Sequence, residues 1–456
     1  MKTCIKDTTV VTCIGNDPRV LERHSVVFDG NTIVAVGPVD EVEGRLTGEP
    51  AIERIDGRNH IVIPGVVNTH HHLFQSLTRG LKCVQDAKLF DWLTALYQRW
   101  QHLNHETVRL AAQVSIAELL LSGCTTTSDH FYIFPRGTDV RIESVLEAAN
   151  TMGIRMHLCR GSMSVGQSGG GLPPDVCTED EPDIMLDYDR VVGAYHDRDP
   201  LAMVRIDVAP CSPFNVSPEL FRDTAQYARE HGLLLHTHAA ETMDEERYCL
   251  ERFGKRPMPY FADCGWLGSD VYLAHCVILN DDDINLIADS GTGVAHCPCS
   301  NMRLGSGVAP IIRLLQRGVK VGLGVDGSSS NDGGHLVGEA RQALLLARAV
   351  GGPTALSTTD AFRMATIGGA NVLNRKMLGR IQPGCAADLA MFRRDAIELA
   401  GAVAQDPLGA LMLCRVGRAD RVIVNGRTLV QDGHLTMLDE HKLASDLNAL
   451  AAKSYR

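Results

Sequence analysis

Four short stretches of the chain carry side chains whose types and spacing could do chemistry together. The first runs from Val66 to Gln75 and reads VVNTHHHLFQ. An apolar β-type run, Ile61 to Val67, precedes Asn68-Thr69 and three histidines. Successive strand residues face opposite ways, so His70 and His72 share a face and His71 points away. Two imidazoles at i, i+2 closing a buried strand suit a transition metal such as zinc. A lone histidine would more simply be a packing residue. The other stretches are HTHAAE, with His238 and Glu241, LAHC, with His275, and GLGVDG, with Asp326. Three imidazoles and one carboxylate would hold a cation and leave a position open to water. Such binding lowers the pKa of water from about 16 towards about 7. Glu241, three residues past His238, is then placed to shuttle protons. Its bland alternative is a first-turn glutamate favoured by the helix dipole. His275 can hydrogen-bond the water or polarise the group under attack. His236 shares a face with His238 but sits one layer deeper, which favours a packing role.

For these residues to meet, the elements between them must bring distant segments to one end of a fold. Between about residues 65 and 379 apolar strands alternate with helices. Helix 105–122 stops at Gly123 and is followed by Thr125–Asp129. Helix 141–152 stops at Gly153 and is followed by Ile154–Arg160. Val204–Cys211, Leu233–His238, Val271–Cys276, Thr292–Cys297 and Val319–Asp326 continue the series, with Ser217 and Asn280 as N-caps. With the opening strand that makes eight, and eight repeats predict a closed α/β barrel of the (β/α)8, TIM-like kind. The alternative, an open doubly wound sheet, lacks a Gly-x-Gly-x-x-Gly loop after its first strand. In a barrel, chemistry sits at the C-terminal strand ends, where His70, His72, His238, His275 and Asp326 would converge. Residues 161–182, rich in Gly and Pro, leave from that end and are expected to form a lid. Residues 1–64 and 380–456 read as short strands and turns, including the hairpin signal Asp29-Gly30-Asn31 and the turn Asn425-Gly426. Neither end makes a core alone, so the two are expected to build one small β-sandwich beside a 65–379 barrel.

Whole-chain properties exclude several classes. With 456 residues and 45% hydrophobic content the chain can bury a large core. A formal net charge of -11 argues against a nucleic-acid or anionic-membrane surface. The first residues lack a signal peptide's apolar core, and no apolar run is long enough to span a bilayer. The 14 cysteines are scattered through apolar segments, as expected for reduced thiols of a cytoplasmic protein.

Taken together, PGVVNTHHH, LHTHAAET, LAHCV, AHCPCSNMRLGSG, GLGVDGSSSND and GRIQPGCAADLAMF resemble the amidohydrolase superfamily over nearly the full length. Within it they are similar to the mononuclear branch of amino-heterocycle deaminases and triazine hydrolases. The resemblance implies metal ligation by His70, His72, His238 and Asp326, proton shuttling by Glu241, and assistance from His275 and Asp326. The binuclear branch needs a carboxylated lysine ending strand four, where this chain has Ala209-Pro210-Cys211-Ser212. One cation per subunit is therefore expected, Zn2+ or Fe2+, and the family's habit implies a homo-oligomer, dimeric or larger. Cys297-Pro298-Cys299 is not the Pro-Cys-x-x-Cys of compact zinc deaminases, because Met302 stands where a second thiolate belongs.

Substrate choice must come from groups around the metal. Gln75 stands where the branch's guanine deaminases carry a glutamine, whose amide can donate and accept on a purine edge. At the strand-four rim those enzymes have arginine and this chain has Cys211, a smaller thiol that leaves room for an extra ring oxygen. HHHLFQSLTRG with APCSP resembles the branch members that deaminate 8-oxoguanine, so the expected reaction is that base plus water to urate plus ammonia. Arg160 at the strand-three rim and Trp92 after strand one are further candidates for touching or covering the ring. Each of these four has a plain packing or surface alternative. Guanine, isocytosine, S-adenosylhomocysteine or a triazine are the alternative substrates. A silent metal-binding scaffold would have lost Glu241 or His275, and both are present.

Overall fold

A computed structural model describes residues 2–15, 17–49 and 51–454. Eight parallel strands close into a barrel: Val66–Asn68, Cys124–Phe131, Arg155–Ser162, Val204–Pro210, Leu235–Ala239, Val271–His275, Gly293–His296 and Val321–Leu323. The pairing of Leu323 with Asn68 shuts the ring. Every residue of the second and third strands is buried, as expected where helices cover the outside and side chains fill the inside. The helices start and stop where local chemistry dictates. Asn104 caps His105–Leu121 by accepting the Thr107 N–H at 2.9 Å. Ser217 caps Pro218–His231, which ends on Gly232 in the left-handed region (φ 64°). Asn280 caps Asp281–Ser290 in a reciprocal box with Asp283.

The apolar run read as one opening strand is two. His60–Pro64 belongs to a different sheet, pairing antiparallel with Leu389–Arg393, and only Val66–Asn68 enters the barrel. The joint is Gly65. A Cβ there would lie 2.1 Å from Thr125 Oγ1, so only glycine lets the chain pass this close to barrel strand two. The second sheet has nine strands, five from the N-terminal end and four from the C-terminal end. It folds back on itself: the Ile33 N–H donates to the Cys385 carbonyl at 2.8 Å and the Ala387 N–H to that of Asn31 at 2.8 Å. Ile5, Val26, Phe28, Val62, Met391 and Ile423 form its own apolar core. The two units are tied by Arg155 of barrel strand three, whose buried guanidinium grips Asp388 at 2.9 and 3.0 Å.

Two sequence expectations change here. The C-terminal piece is not all strand: Glu440–Ser454 is a helix that packs Leu443 and Leu447 onto the barrel's core. Residues 161–182 are pinned rather than draped over the mouth. Met163 and Cys177 are buried, and the backbone N–H groups of Ser164 and Val165 both donate to the Asn215 carbonyl at 3.0 Å. Among the described residues no helix is long and apolar enough to cross a membrane.

Candidate active site

At the C-terminal mouth of the barrel, His70, His72, His238, His275, Glu241 and Asp326 come together in one buried cluster. His70 and His72 follow the end of strand one, and both face inward. His71 faces away, with its Nδ1 accepting the His72 N–H at 2.8 Å. His72 Nε2 and His70 Nε2 each stand 3.3 Å from Asp326 Oδ1. His72 Nε2 and His238 Nε2 are 3.1 Å apart.

The hydrogen bonds behind these rings decide what the inward atoms are. His72 Nδ1 meets the His130 carbonyl at 2.7 Å, and His238 Nδ1 meets the Cys211 carbonyl at 2.6 Å. A carbonyl only accepts, so both Nδ1 atoms carry the proton and both Nε2 atoms are bare lone pairs. Two lone pairs 3.1 Å apart cannot bond to each other. His70 Nε2 likewise is buried with no hydrogen-bond partner. Burial and neighbouring imidazoles keep the set neutral: His70 is held well below its usual pKa, and that of His238 falls to about 3. Three bare imidazole nitrogens around a carboxylate are a donor set that fits a divalent cation. Asp326 is fixed by donors of its own. Gly327 N–H meets its Oδ1 at 2.7 Å, and the Ser300 and Ser330 hydroxyls meet its Oδ2 at 2.5 and 3.1 Å.

Glu241 and His275 stand beside this set. Burial, reinforced by the Asp326 carboxylate and only partly opposed by His275, pushes the Glu241 carboxyl up to about 7, the range of a group that both gives and takes protons at neutral pH. His275 Nδ1 is 3.0 Å from Asn301 Oδ1, and its Nε2 faces Glu241 Oε2 at 3.7 Å. Burial works against charge on His275, but the carboxylates of Glu241 and Asp326 outweigh it and raise its pKa. Glu245 holds the turn that presents Glu241, its carboxylate accepting the Ala240 and Glu241 N–H groups at 2.8 and 2.7 Å.

A cavity of about 380 Å³ opens onto the cluster. Gln75, Trp92 and Cys211 line it. Gln75 Oε1 is buried without a partner. Burial pushes the Cys211 thiol up to about 12, so it stays neutral. Trp92 stands on helix Leu89–Trp100, with its indole N–H on the Ser329 carbonyl at 3.3 Å. That helix, through Leu89, Trp92, Leu93 and Tyr97, covers the cavity, and no residue of 161–182 lines it. Arg160 is the correction among the site residues. It does not reach the cavity; its guanidinium pairs with Glu179 at 2.6 Å and Asp187 at 2.9 Å and lies over the Phe134 ring. A fully buried arginine needs carboxylate partners, and Glu179 and Asp187 supply them. Residues the sequence reading left without a role include Tyr132, whose ring meets His72 edge-on at 5.1 Å, and Tyr97. They also include Ser300 and Asn301, which lie inside the motif AHCPCSNMRLGSG but point at nothing until the fold closes. His236 is not mere packing: its Nε2 lies 2.8 Å from His70 Nδ1.

The barrel, its two-ended second sheet and this mouth define a class. The profile of the Amidohydrolase family matches residues 61–429, and the chain belongs to that family, as a hydrolase of the kind that acts on carbon–nitrogen bonds. Among individual relatives, the chain is 44% identical to the 8-oxoguanine deaminase of Pseudomonas aeruginosa, over 97% of this chain and 98% of that one. It is 36% identical to the hydroxydechloroatrazine ethylaminohydrolase of Pseudomonas sp. strain ADP, over 87% of this chain and 83% of that one. The crystal structure of an atrazine chlorohydrolase from Arthrobacter aurescens TC1, complexed with zinc, superposes with a TM-score of 0.93 at 34% identity, covering 98% of this chain and all of that one.

Proposed function

We propose that the protein hydrolyses 8-oxoguanine to urate and ammonia with one divalent cation, zinc or iron, per subunit. The observation that carries the reading is the make-up of the cavity. Gln75, with an unpartnered carbonyl oxygen, and the neutral thiol of Cys211 share a space of about 380 Å³ with the proton-handling pair Glu241 and His275. Leu89, Trp92, Leu93 and Tyr97 line that space, so it suits a flat base better than a sugar-bearing substrate, which they would crowd. The 44% identity to a protein of this activity supports the same choice. The small neutral side chain of Cys211 leaves room for the extra oxygen and can donate its S–H to it. The fourteen cysteines, all unpaired, suit a reducing cytoplasmic setting. Assembly into homo-oligomers belongs to the same reading.

His70, His72, His238 and Asp326 would hold the cation, which supplies Lewis acidity and an acidified water. Glu241, with a pKa near neutrality, gives its proton to the ring nitrogen beside the carbon that bears the amino group. The charge of the tetrahedral adduct is thereby quenched as the water oxygen bonds to that carbon. His275 and Asp326 take up a water proton and return it to the departing amine, so the carbon–nitrogen bond breaks with loss of ammonia. The remaining water proton restores Glu241, leaving a ring carbonyl and a ring N–H. Ammonia release from 8-oxoguanine, guanine, isocytosine and a chlorotriazine tests the reading, with Cys211→Ala alongside. We expect 8-oxoguanine to be the fastest, with its advantage over guanine changed by Cys211→Ala. Faster turnover of guanine or of the triazine would overturn it.

A further inference from the structure

Two of the three inward imidazoles are aimed by carbonyl oxygens, and the third is not. His70 Nδ1 has no carbonyl; its partner is another imidazole, His236 Nε2 at 2.8 Å. His236 Nδ1 in turn lies 2.9 Å from the Tyr272 carbonyl. The order of protons along this line is forced from its far end. The carbonyl can only accept, so His236 carries its proton on Nδ1, which leaves Nε2 as an acceptor. That acceptor requires the proton on His70 Nδ1, which makes His70 Nε2 the bare lone pair that faces Asp326 Oδ1 at 3.3 Å. Reverse any step and His70 turns an N–H towards the cation site. The line is also held in place sideways. The His236 ring stacks on Tyr272 with centroids 4.0 Å apart and planes 11° from parallel. The Tyr272 hydroxyl is fixed by Asp207 at 2.9 Å and Ser128 at 3.0 Å.

We infer that His236 is a positioning residue: by relaying the Tyr272 carbonyl to His70, it sets the tautomer and direction of that ring and so the affinity of the site for its cation. The inference rests on the one-cation reading. It also settles how to treat a second grouping of nitrogens, His70, His130 and His236, which lie close enough together to suggest another ion. A cation there would need the His70 Nδ1 proton removed, leaving an imidazolate shared by two charges. The 2.8 Å contact is instead a hydrogen bond, and the site takes one equivalent.

The test is zinc binding by the metal-free full chain, titrated against a chromophoric chelator, for the wild type, His236→Phe and His236→Gln. Phenylalanine keeps the ring and its stacking but accepts nothing. Glutamine can present an oxygen to His70 and an N–H to the Tyr272 carbonyl. Loss of a partner behind a metal-bound histidine typically weakens binding by about 10–100-fold. We expect that loss in His236→Phe, affinity within a few-fold of wild type in His236→Gln, and one equivalent bound throughout. Equal weakening in both variants would assign His236 to packing alone and overturn the inference, as would unchanged affinity in His236→Phe or a second equivalent in the wild type. If His236→Phe fails to fold, His236→Gln carries the test: near-wild-type affinity supports the relay and a tenfold loss refutes it. A wild type that binds no zinc or iron fails differently, since it removes the cation reading itself.

Discussion

Replacing Glu241 by glutamine should separate catalysis from stability in opposite directions. Glu241 is 4% exposed, and His275 Nε2 faces its Oε2 at 3.7 Å, beyond hydrogen-bond reach. The fold therefore holds a carboxyl at a site that disfavours its charge, and burial raises its pKa from 4.5 to about 7. At ~1.4 kcal/mol per pH unit that difference amounts to about 3 kcal/mol of stability forgone. The sign follows from proton binding. Below pH 4.5 both folded and unfolded chains are protonated and nothing is lost. Between 4.5 and about 7 the unfolded chain ionises while the folded one resists, so stability falls as pH rises, and the loss is complete above about 7. Glu241→Gln removes the ionisation. The metal-free variant should thus be about 3 kcal/mol more stable than wild type at pH 8, and the gap should close as pH falls towards 4.5. Turnover should move the other way, by the roughly 10²–10⁴-fold that a positioned proton donor contributes. Urea unfolding at pH 5 and pH 8, paired with ammonia release at pH 7, reads both. Turnover within tenfold of wild type sinks the shuttle assignment. A variant no more stable than wild type at pH 8 sinks the burial account, whatever the activity.

Stripping the cation with a chelator should abolish ammonia release and lower the melting temperature, and zinc at 100 times its Kd should restore about 2.7 kcal/mol of stability, read by thermal melts across zinc concentration. Arg160→Met should leave KM for the substrate unchanged while costing about 3 kcal/mol in urea unfolding, because it strands Glu179 and Asp187 rather than touching the cavity. A KM shift without a stability loss would return Arg160 to the substrate. Gly65→Ala should cost about 1–3 kcal/mol or the fold itself, since its new methyl would meet Thr125; circular dichroism and the yield of folded protein read it.

What could be read from the chain in advance was whatever repeats or is local. Alternation of apolar strands with capped helices is a periodic signal, so the barrel and the stops at Gly153 and Gly232 were legible. So were the inward imidazoles at i, i+2, because strand parity needs no tertiary knowledge. Apart from the C-terminal helix Glu440–Ser454, the errors concern partners distant in sequence. Ile61 to Val67 is uniformly apolar, and nothing local marks Gly65 as the point where the chain leaves one sheet for another. Arg160 reads as a rim residue by position, but its direction is set by Glu179 and Asp187, 19 and 27 residues further along the chain. The Gly- and Pro-rich segment 161–182 reads as a lid, yet the cavity is lined by the helix Leu89–Trp100, of which only Trp92 stands out in the sequence as a candidate to cover the ring. His236 reads as a packing residue one layer below His238, but its partner His70 is 166 residues away.

The mouth also departs from strand geometry in a way that explains why it can gather so many inward groups. A strand aims alternate residues inward, yet His275 and Asp326 both lie where the chain leaves that pattern, at φ 73° and 62°. Ala240 and Cys276, at 49° and 51°, do the same. Each left-handed non-glycine residue costs about 1–3 kcal/mol unless its surroundings hold it. Here they do. The Asp326 N–H donates to the His70 carbonyl at 3.0 Å, the Cys276 N–H to that of Ala239 at 3.0 Å, and the Ala240 carbonyl accepts both Val277 and Ile278 at 2.9 and 2.8 Å. The bond from Asp326 to His70 joins strand eight to strand one, so the backbone strained at one candidate ligand is anchored on another. These four residues sit at the turns that swing side chains from separate strands onto a common point, and the hydrogen bonds that hold them run between those same turns.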